Sequence, residues 1–184
     1  MNTDSIVVNK FVNESVANKH AKRMDHYYRD GNYMTGDPQA PNSFAWYCLH
    51  YDLLEDCLDP MCKITGLDLE PTYDYSRIYK KGEVLKKHTD RPSCEISVTL
   101  NLKNVGEGWE FCWTGGSKLM TVGDAVIYKG CDLEHWRDTN PSESVYQVFL
   151  HYVRSDGPYR EKAYEYLRRK PSHIQSLLNK EMTP

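Results

Sequence analysis

The sequence lacks any apolar run of 18 residues, so no segment reads as a membrane-spanning helix. It lacks an excess of positive charge. Lys and Arg number 23 against 26 Asp and Glu, a formal charge of -3, which removes the electrostatic ground for a nucleic-acid partner. It also lacks a CxxC pair. The six cysteines, Cys48, Cys57, Cys62, Cys94, Cys112 and Cys131, are dispersed, and the Cys57/Cys62 spacing has no second pair nearby, so a zinc ribbon is not expected. The N-terminal MNTDSIVVNKFVNES has too short an apolar stretch for a secretory signal, and the thiols are expected to be reduced and packed. Internal repeats and low-complexity tracts are lacking too, which sets aside solenoids. The expectation is a soluble cytoplasmic protein without membrane or nucleic-acid partners; the oligomeric state is left open.

What is present suits one domain of 184 residues in three parts: a helical N-terminal part over 1–70, a strand-rich core over 71–153 and C-terminal helices over 158–182, interrupted at Pro171. Residues 4–29 and 44–67 are expected to be helical, with the loop DGNYMTGDPQAPNS between them. Beyond Pro71 the texture changes to short apolar runs punctuated by turns: 73–79, 94–102, 109–113, 118–122, 125–130 and 145–153. In CEISVTLNL, Cys94, Ile96, Val98, Leu100 and Leu102 fall on one face, and Ser97, Thr99 and Asn101 on the other. That polar face either lines a pocket or is solvated. Strands without helices between them predict antiparallel sheets, and the expected fold is mainly β with flanking helices (α+β), a double-sheet jelly roll.

The stretch HTDRPSCEIS (88–97) carries the first chemical signal. His88 and Asp90 stand two apart, a spacing that turns both to one face of a strand with Thr89 aside. A third ligand would come from a distant strand, and His135 follows AVIYKG. Two imidazoles and one carboxylate form the facial triad of non-haem Fe(II) enzymes, although zinc accepts the same set. HxD alone is common by chance, and a strand-end histidine is often only a cap. His20, His26, His50 and His173 fall in helical segments and need no ligand role; His151 shares the parity of Gln147.

Order and context sharpen this. YKKGEVLKKHTD, then ISVTLNLKNVGEGWEF, then VGDAVIYKGCDLEHWRD resembles the 2-oxoglutarate- and Fe(II)-dependent oxygenases, in particular their prolyl-4-hydroxylase-like branch, over roughly residues 73–153. The resemblance implies a double-stranded β-helix (jelly-roll, cupin-like) barrel, iron held by His88, Asp90 and His135, and 2-oxoglutarate as cosubstrate with Tyr79 bonded to it. It further implies hydroxylation of an unactivated C–H bond of an amino-acid, peptidyl or other small-molecule substrate, with succinate and CO2 as co-products and ascorbate as a reductant. Halogenating relatives replace the carboxylate by a small residue; Asp90 is present, which favours hydroxylation.

At one point the chain departs from the pattern. The family's basic residue, about ten positions past the distal histidine, falls here on Val145. Arg137, on the same face as His135 if the strand continues, is the first candidate for gripping the cosubstrate carboxylate, and Arg77, beside Tyr79, the second. Thr99 and Gln147 join them by parity, while Arg91 and Ser97 are placed on the substrate side. Two alternatives stand beside this reading: a cupin-type metal enzyme that does not use 2-oxoglutarate, and a non-enzymatic jelly-roll binding module.

Overall fold

A computed structural model describes residues 1 and 3–168. In chain order the elements are β1 (Ser5–Val8), α1 (Glu14–Arg29), β2 (Phe44–Tyr47), α2 (Tyr51–Asp56), α3 (Leu58–Thr65), β3 (Leu69–Lys80), β4 (Leu85–His88), β5 (Ile96–Val105), β6 (Trp109–Trp113), β7 (Gly116–Met120), β8 (Ala125–Tyr128), β9 (His135–Arg137), β10 (Ser144–Arg154) and α4 (Glu165–Arg168). Every strand pairing is antiparallel, in a six-stranded sheet ordered β1-β8-β5-β10-β3-β2 and a four-stranded sheet ordered β4-β9-β6-β7.

The alternation read in CEISVTLNL explains how the sheets are used. Ile96, Val98, Leu100 and Leu102 join Val148, Leu150 and Tyr152 of β10 in one core, capped by α1, α2 and α3 through Ala17, Ala21, Met24, Leu53, Leu54 and Met61. Ser97, Thr99 and Asn101 turn the other way and are fully buried between the sheets, so this face is interior and not solvated. Six-stranded sheet, helices on its outer face and a small second sheet on its inner face are the arrangement of a jelly roll with flanking helices.

Two helical expectations are corrected. Residues 5–8 form β1, which adds to β8 at the sheet edge, and 44–47 form β2, which pairs with β3 (Phe44 opposite Ile78, Tyr47 opposite Tyr75). Both runs are short and apolar, where periodicity does not separate strand from helix, and a neighbouring strand edge decides. The helix of 4–29 therefore starts only at Glu14, where Asn13 accepts the Val16 N–H at 3.0 Å as N-cap. Of the C-terminal helices, the structure gives a 3-10 turn at Arg160–Lys162 and α4; residues 169–182, with Pro171 and His173, lie outside the described residues. All six cysteines are free thiols, and Cys48, Cys57, Cys94 and Cys112 are buried.

The turn after β3 explains the glycine of Tyr-x-x-Gly. Gly82 sits at φ 83, where a side chain is strained, and its N–H bonds the Asn140 carbonyl at 2.9 Å, tying the start of β4 to the loop before β10.

A buried imidazole pair lies in the helical layer. His20 Nδ1 and His50 Nδ1 are 3.0 Å apart, so one donates and the other accepts, and neither Nδ1 has room for an added proton. Burial pushes His20 down to about 4 and His50 well below its ordinary value. With folded pKa values depressed, the unfolded chain binds more protons below about 6.5, and these groups withdraw stability as pH falls from there toward 4. Asp74, pushed up to about 7 by burial, runs the opposite way. The check is therefore a difference: between pH 7 and pH 5 the wild type should lose on the order of 1–3 kcal/mol more unfolding free energy than His20→Gln. Parallel pH curves for the two proteins in chemical denaturation would reject the assignment.

Candidate active site

The small sheet brings His88 and His135 together. β4 ends on His88, β9 begins on His135, and the two residues are partners across the pair, with ring centroids 4.3 Å apart. Asp90 lies past the end of β4, so the loop and not the pleat aims it. Its N–H bonds the Gly130 carbonyl at 2.8 Å. Asp90 Oδ1 then stands 3.5 Å from His88 Nε2 and 3.6 Å from His135 Nε2, and one ligand atom from each residue lies within 4.8 Å of the others.

The tautomers suit a metal. His88 Nδ1 faces the Lys86 carbonyl at 2.6 Å and His135 Nδ1 the Leu133 carbonyl at 2.9 Å. A carbonyl only accepts, so each Nδ1 carries the hydrogen and each Nε2 turns a lone pair toward the shared space. Burial would raise the Asp90 pKa, but the two imidazoles beside it outweigh that and hold the carboxyl well below the usual carboxylate range. Two neutral nitrogens and one carboxylate facing one point make a donor set for a divalent cation.

Gly130 keeps that point open. A Cβ there would fall on the Cys94 carbonyl oxygen and lie 2.7 Å from both Asp90 Oδ2 and Ser97 Oγ. Gly130→Ala is expected to push Asp90 off its position and weaken Mn(II) binding at least 10-fold, read by titration of the purified protein; unchanged affinity would mean the loop absorbs the methyl.

The site opens into a cavity of about 510 Å3. It is lined by the three ligands, Thr89, Arg91 and His151, by Tyr47, Tyr73, Tyr75, Arg77, Tyr79 and Phe149, and by Asp37 and Gln39 of the loop before β2. Thr89, expected to turn aside, thus borders the same space. Arg77 lines the cavity but is already paired, donating to Asp37 Oδ2 at 2.6 Å. Arg91 donates to the Tyr73 hydroxyl at 3.1 Å and to Glu165 at 3.2 Å, with its side chain 42% exposed.

Arg137 is different. It is 1% exposed, at the inner end of β9, and no carboxylate among the described residues pairs with it. Nη1 donates to the Trp109 carbonyl at 3.0 Å and Nη2 to Thr99 Oγ1 at 3.3 Å, while the guanidinium lies over the Trp109 and Phe111 rings. Thr99 passes its own proton to Gln147 Oε1 at 3.2 Å. Left over, buried and without partners, are Arg137 Nε, Gln147 Nε2 and the Tyr79 hydroxyl. Burial pushes Arg137 down to about 10, still charged at neutral pH. Tyr79 reaches the cavity and packs on the same Trp109 ring, with centroids 4.9 Å apart; Arg137 lies behind it, outside the cavity lining. An unpaired buried charge with unmet donors costs several kcal/mol, and an oxyanion would relieve it.

Ser97, expected on the substrate side, sits behind Asp90 instead, 3.2 Å from Oδ2. The sequence reading missed Asp37, Gly130 and Glu165. None lies in a periodic run; Asp37 is in a loop, Gly130 is one of 11 glycines, and Glu165 reaches its partners through the tertiary fold.

No protein-family model matches the sequence, and no curated protein matches it. Solved structures do. A prolyl-4-hydroxylase from Pseudomonas putida superposes with TM-score 0.64 at 13% identity, over 83% of this chain and 94% of that one. A Trichoplax adhaerens prolyl hydroxylase, solved with a peptide fragment of the hypoxia inducible factor oxygen degradation domain, gives 0.66 at 13%, over 92% and 89%. HygX from Streptomyces hygroscopicus, solved with nickel and 2-oxoglutarate, gives 0.61 at 12%, over 84% of each chain. At such identities the likeness establishes architecture: this chain has the double-stranded β-helix fold of the 2-oxoglutarate- and Fe(II)-dependent oxygenases.

Proposed function

We propose that the protein is an Fe(II)- and 2-oxoglutarate-dependent dioxygenase that hydroxylates an unactivated C–H bond. The three-residue cluster alone would also suit a cupin-type enzyme. The observation that carries the reading further is the buried, carboxylate-free Arg137 with the unmet donors of Gln147 and Tyr79, a receptor for a dianionic cosubstrate in the barrel that holds the metal cluster.

In this reading His88, Asp90 and His135 hold the iron and leave positions open. Bound there, the metal supplies O2 activation coupled to decarboxylation of 2-oxoglutarate to succinate and CO2. Arg137 is the anchor for the far carboxylate of the cosubstrate, which has to reach it past Tyr79 from the cavity; Tyr79 and Gln147 donate to that carboxylate, and Thr99 orients the guanidinium. Arg77, neutralised by Asp37, shapes the wall, and Arg91 meets the primary substrate at the mouth. The walls of Tyr73, Tyr75 and Phe149 exclude water, and the remaining volume suits a small molecule or one side chain of a peptide. The prolyl hydroxylases among the similar structures favour an amino-acid or peptidyl substrate, and the free thiols suit the cytoplasm.

The test has two parts. Anaerobic Fe(II) plus 2-oxoglutarate should give a weak visible charge-transfer band, which a cupin-type site without 2-oxoglutarate does not. With O2 and ascorbate, a screen of free amino acids, peptides and small metabolites should yield substrate-dependent succinate. No band and no succinate above background would overturn the assignment.

A further inference from the structure

Asp90 offers one oxygen to the cluster and turns the other away from it. Oδ1 faces both Nε2 atoms, whereas Oδ2 meets Ser97 Oγ at 3.2 Å. Ser97 is fully buried on β5, and its hydroxyl also meets the Cys94 carbonyl at 3.1 Å and His151 Nδ1 at 2.9 Å, with the Tyr128 hydroxyl beside it as a further donor. A hydroxyl has one hydrogen. Asp90 Oδ2 and the Cys94 carbonyl only accept, so that hydrogen is taken by one of them, and the ionised carboxylate is the stronger acceptor. His151 Nδ1 must then donate to the Ser97 oxygen; were it to accept, Ser97 would face an acceptor without a hydrogen to offer. This fixes the imidazole as the Nδ1–H tautomer.

The rest of the pocket holds the ring in that pose. His151 lies on β10 opposite both Ser97 and Tyr73, and its ring packs on the Tyr73 ring with centroids 4.6 Å apart. Tyr73 accepts from Arg91 Nε and shares a hydrogen bond with Cys94 Sγ at 3.0 Å, in which either group can donate. His151 borders the cavity with Nδ1 turned back toward Ser97, which leaves Nε2 as the nitrogen nearer the open space.

We propose that His151 and Ser97 form a positioning relay, imidazole Nδ1–H to hydroxyl to Asp90 Oδ2, that holds Asp90 as a one-oxygen metal ligand and presents His151 Nε2 to the cavity as an acceptor for a substrate N–H or O–H. The inference rests on the metal reading above and goes beyond it in assigning two residues outside the ligand set and one requirement on the substrate. An acceptor beside the metal favours compounds carrying a hydroxyl, amine or amide N–H near the oxidised carbon.

The test reads protons and metal affinity, not turnover. In the Zn(II)-loaded wild type, 15N-edited NMR should show His151 protonated on Nδ1 and bare on Nε2 at pH 7, and Ser97→Ala should mix the two tautomers. Mn(II) affinity, by titration, should fall 10- to 100-fold in Ser97→Ala, the range for a group that orients a metal ligand. His151→Phe should weaken it by a smaller factor in the wild type and not at all in the Ser97→Ala background, because a relay is non-additive. Far-UV circular dichroism checks that each variant folds, and the wild-type tautomer needs no variant. Nε2–H on His151, additive losses, or a direct zinc shift on a His151 nitrogen would each overturn the relay; the last would assign the metal to Asp90, Cys94 and His151, which also approach within 4.8 Å. Failure of the metal reading has a separate signature, unchanged Mn(II) affinity in His88→Ala, and would remove the relay with it.

Discussion

Replacement of Asp90 by alanine should lower Mn(II) or Fe(II) affinity by more than 100-fold and reduce succinate release to background. The reason lies in charge. His88 and His135 bring two neutral nitrogens, and Asp90 is the cluster's carboxylate, kept ionised although its side chain is only 15% exposed. Without it a dication would meet two dipoles and no compensating charge in a site of low dielectric, where an unbalanced charge is most costly. Removing a group that only orients a ligand typically costs 10- to 100-fold, so removing the ligand itself should exceed that. The fold should persist, because Asp90 belongs to no strand and its backbone bond to Gly130 survives the substitution. A variant that folds and still binds metal with wild-type affinity would remove the triad and favour a binding module.

The second large effect has opposite signs in the free and loaded protein. Arg137→Met should raise the 2-oxoglutarate requirement at least 30-fold, since truncating one partner of a buried charged pair costs about 2–5 kcal/mol. Yet the same change should leave the cosubstrate-free protein as stable as the wild type or more so. Its guanidinium is buried without a carboxylate, and an apolar side chain of similar volume removes that desolvation penalty while still covering Trp109 and Phe111. Thermal denaturation with and without 2-oxoglutarate separates the two. The wild type should gain Tm on adding the cosubstrate, and the variant should start level or higher and gain nothing. If Arg77→Met abolishes the shift and Arg137→Met does not, the anchor is Arg77, and Asp37 must leave it when the cosubstrate binds.

How much of this was legible in the chain differs by element. The long strands β3, β5 and β10 are written in their alternation, because each has one face on the helical core and the other inside the barrel. β1 and β2 are not, since four apolar residues have no period and only the edge they join makes them strands. The cluster was legible through order, HxD before a strand and a histidine after another, but the cause of its geometry was not. A strand pleat was expected to align His88 with Asp90, whereas a loop bonded to Gly130 does so. Arg137 followed from parity with His135. The absence of a counter-ion, which gives that arginine its meaning, is a property of the packed interior and has no trace in the order of residues. The same holds for Ser97, whose polarity was visible but whose neighbours were not.

The loop over 30–43 gives only Asp37 and Gln39 to the cavity wall, and neither touches the metal cluster. Everything the proposed chemistry needs sits instead on β3, β4, β5, β9 and β10 or the turn beside them. Part of the cavity wall is thus written in a different stretch of the gene from the residues that would hold the metal and the cosubstrate. Insertions, deletions or exchanges within that loop can redraw the entrance while the iron and cosubstrate positions stay intact, so descendants of one barrel could acquire new substrates without passing through an inactive ancestor.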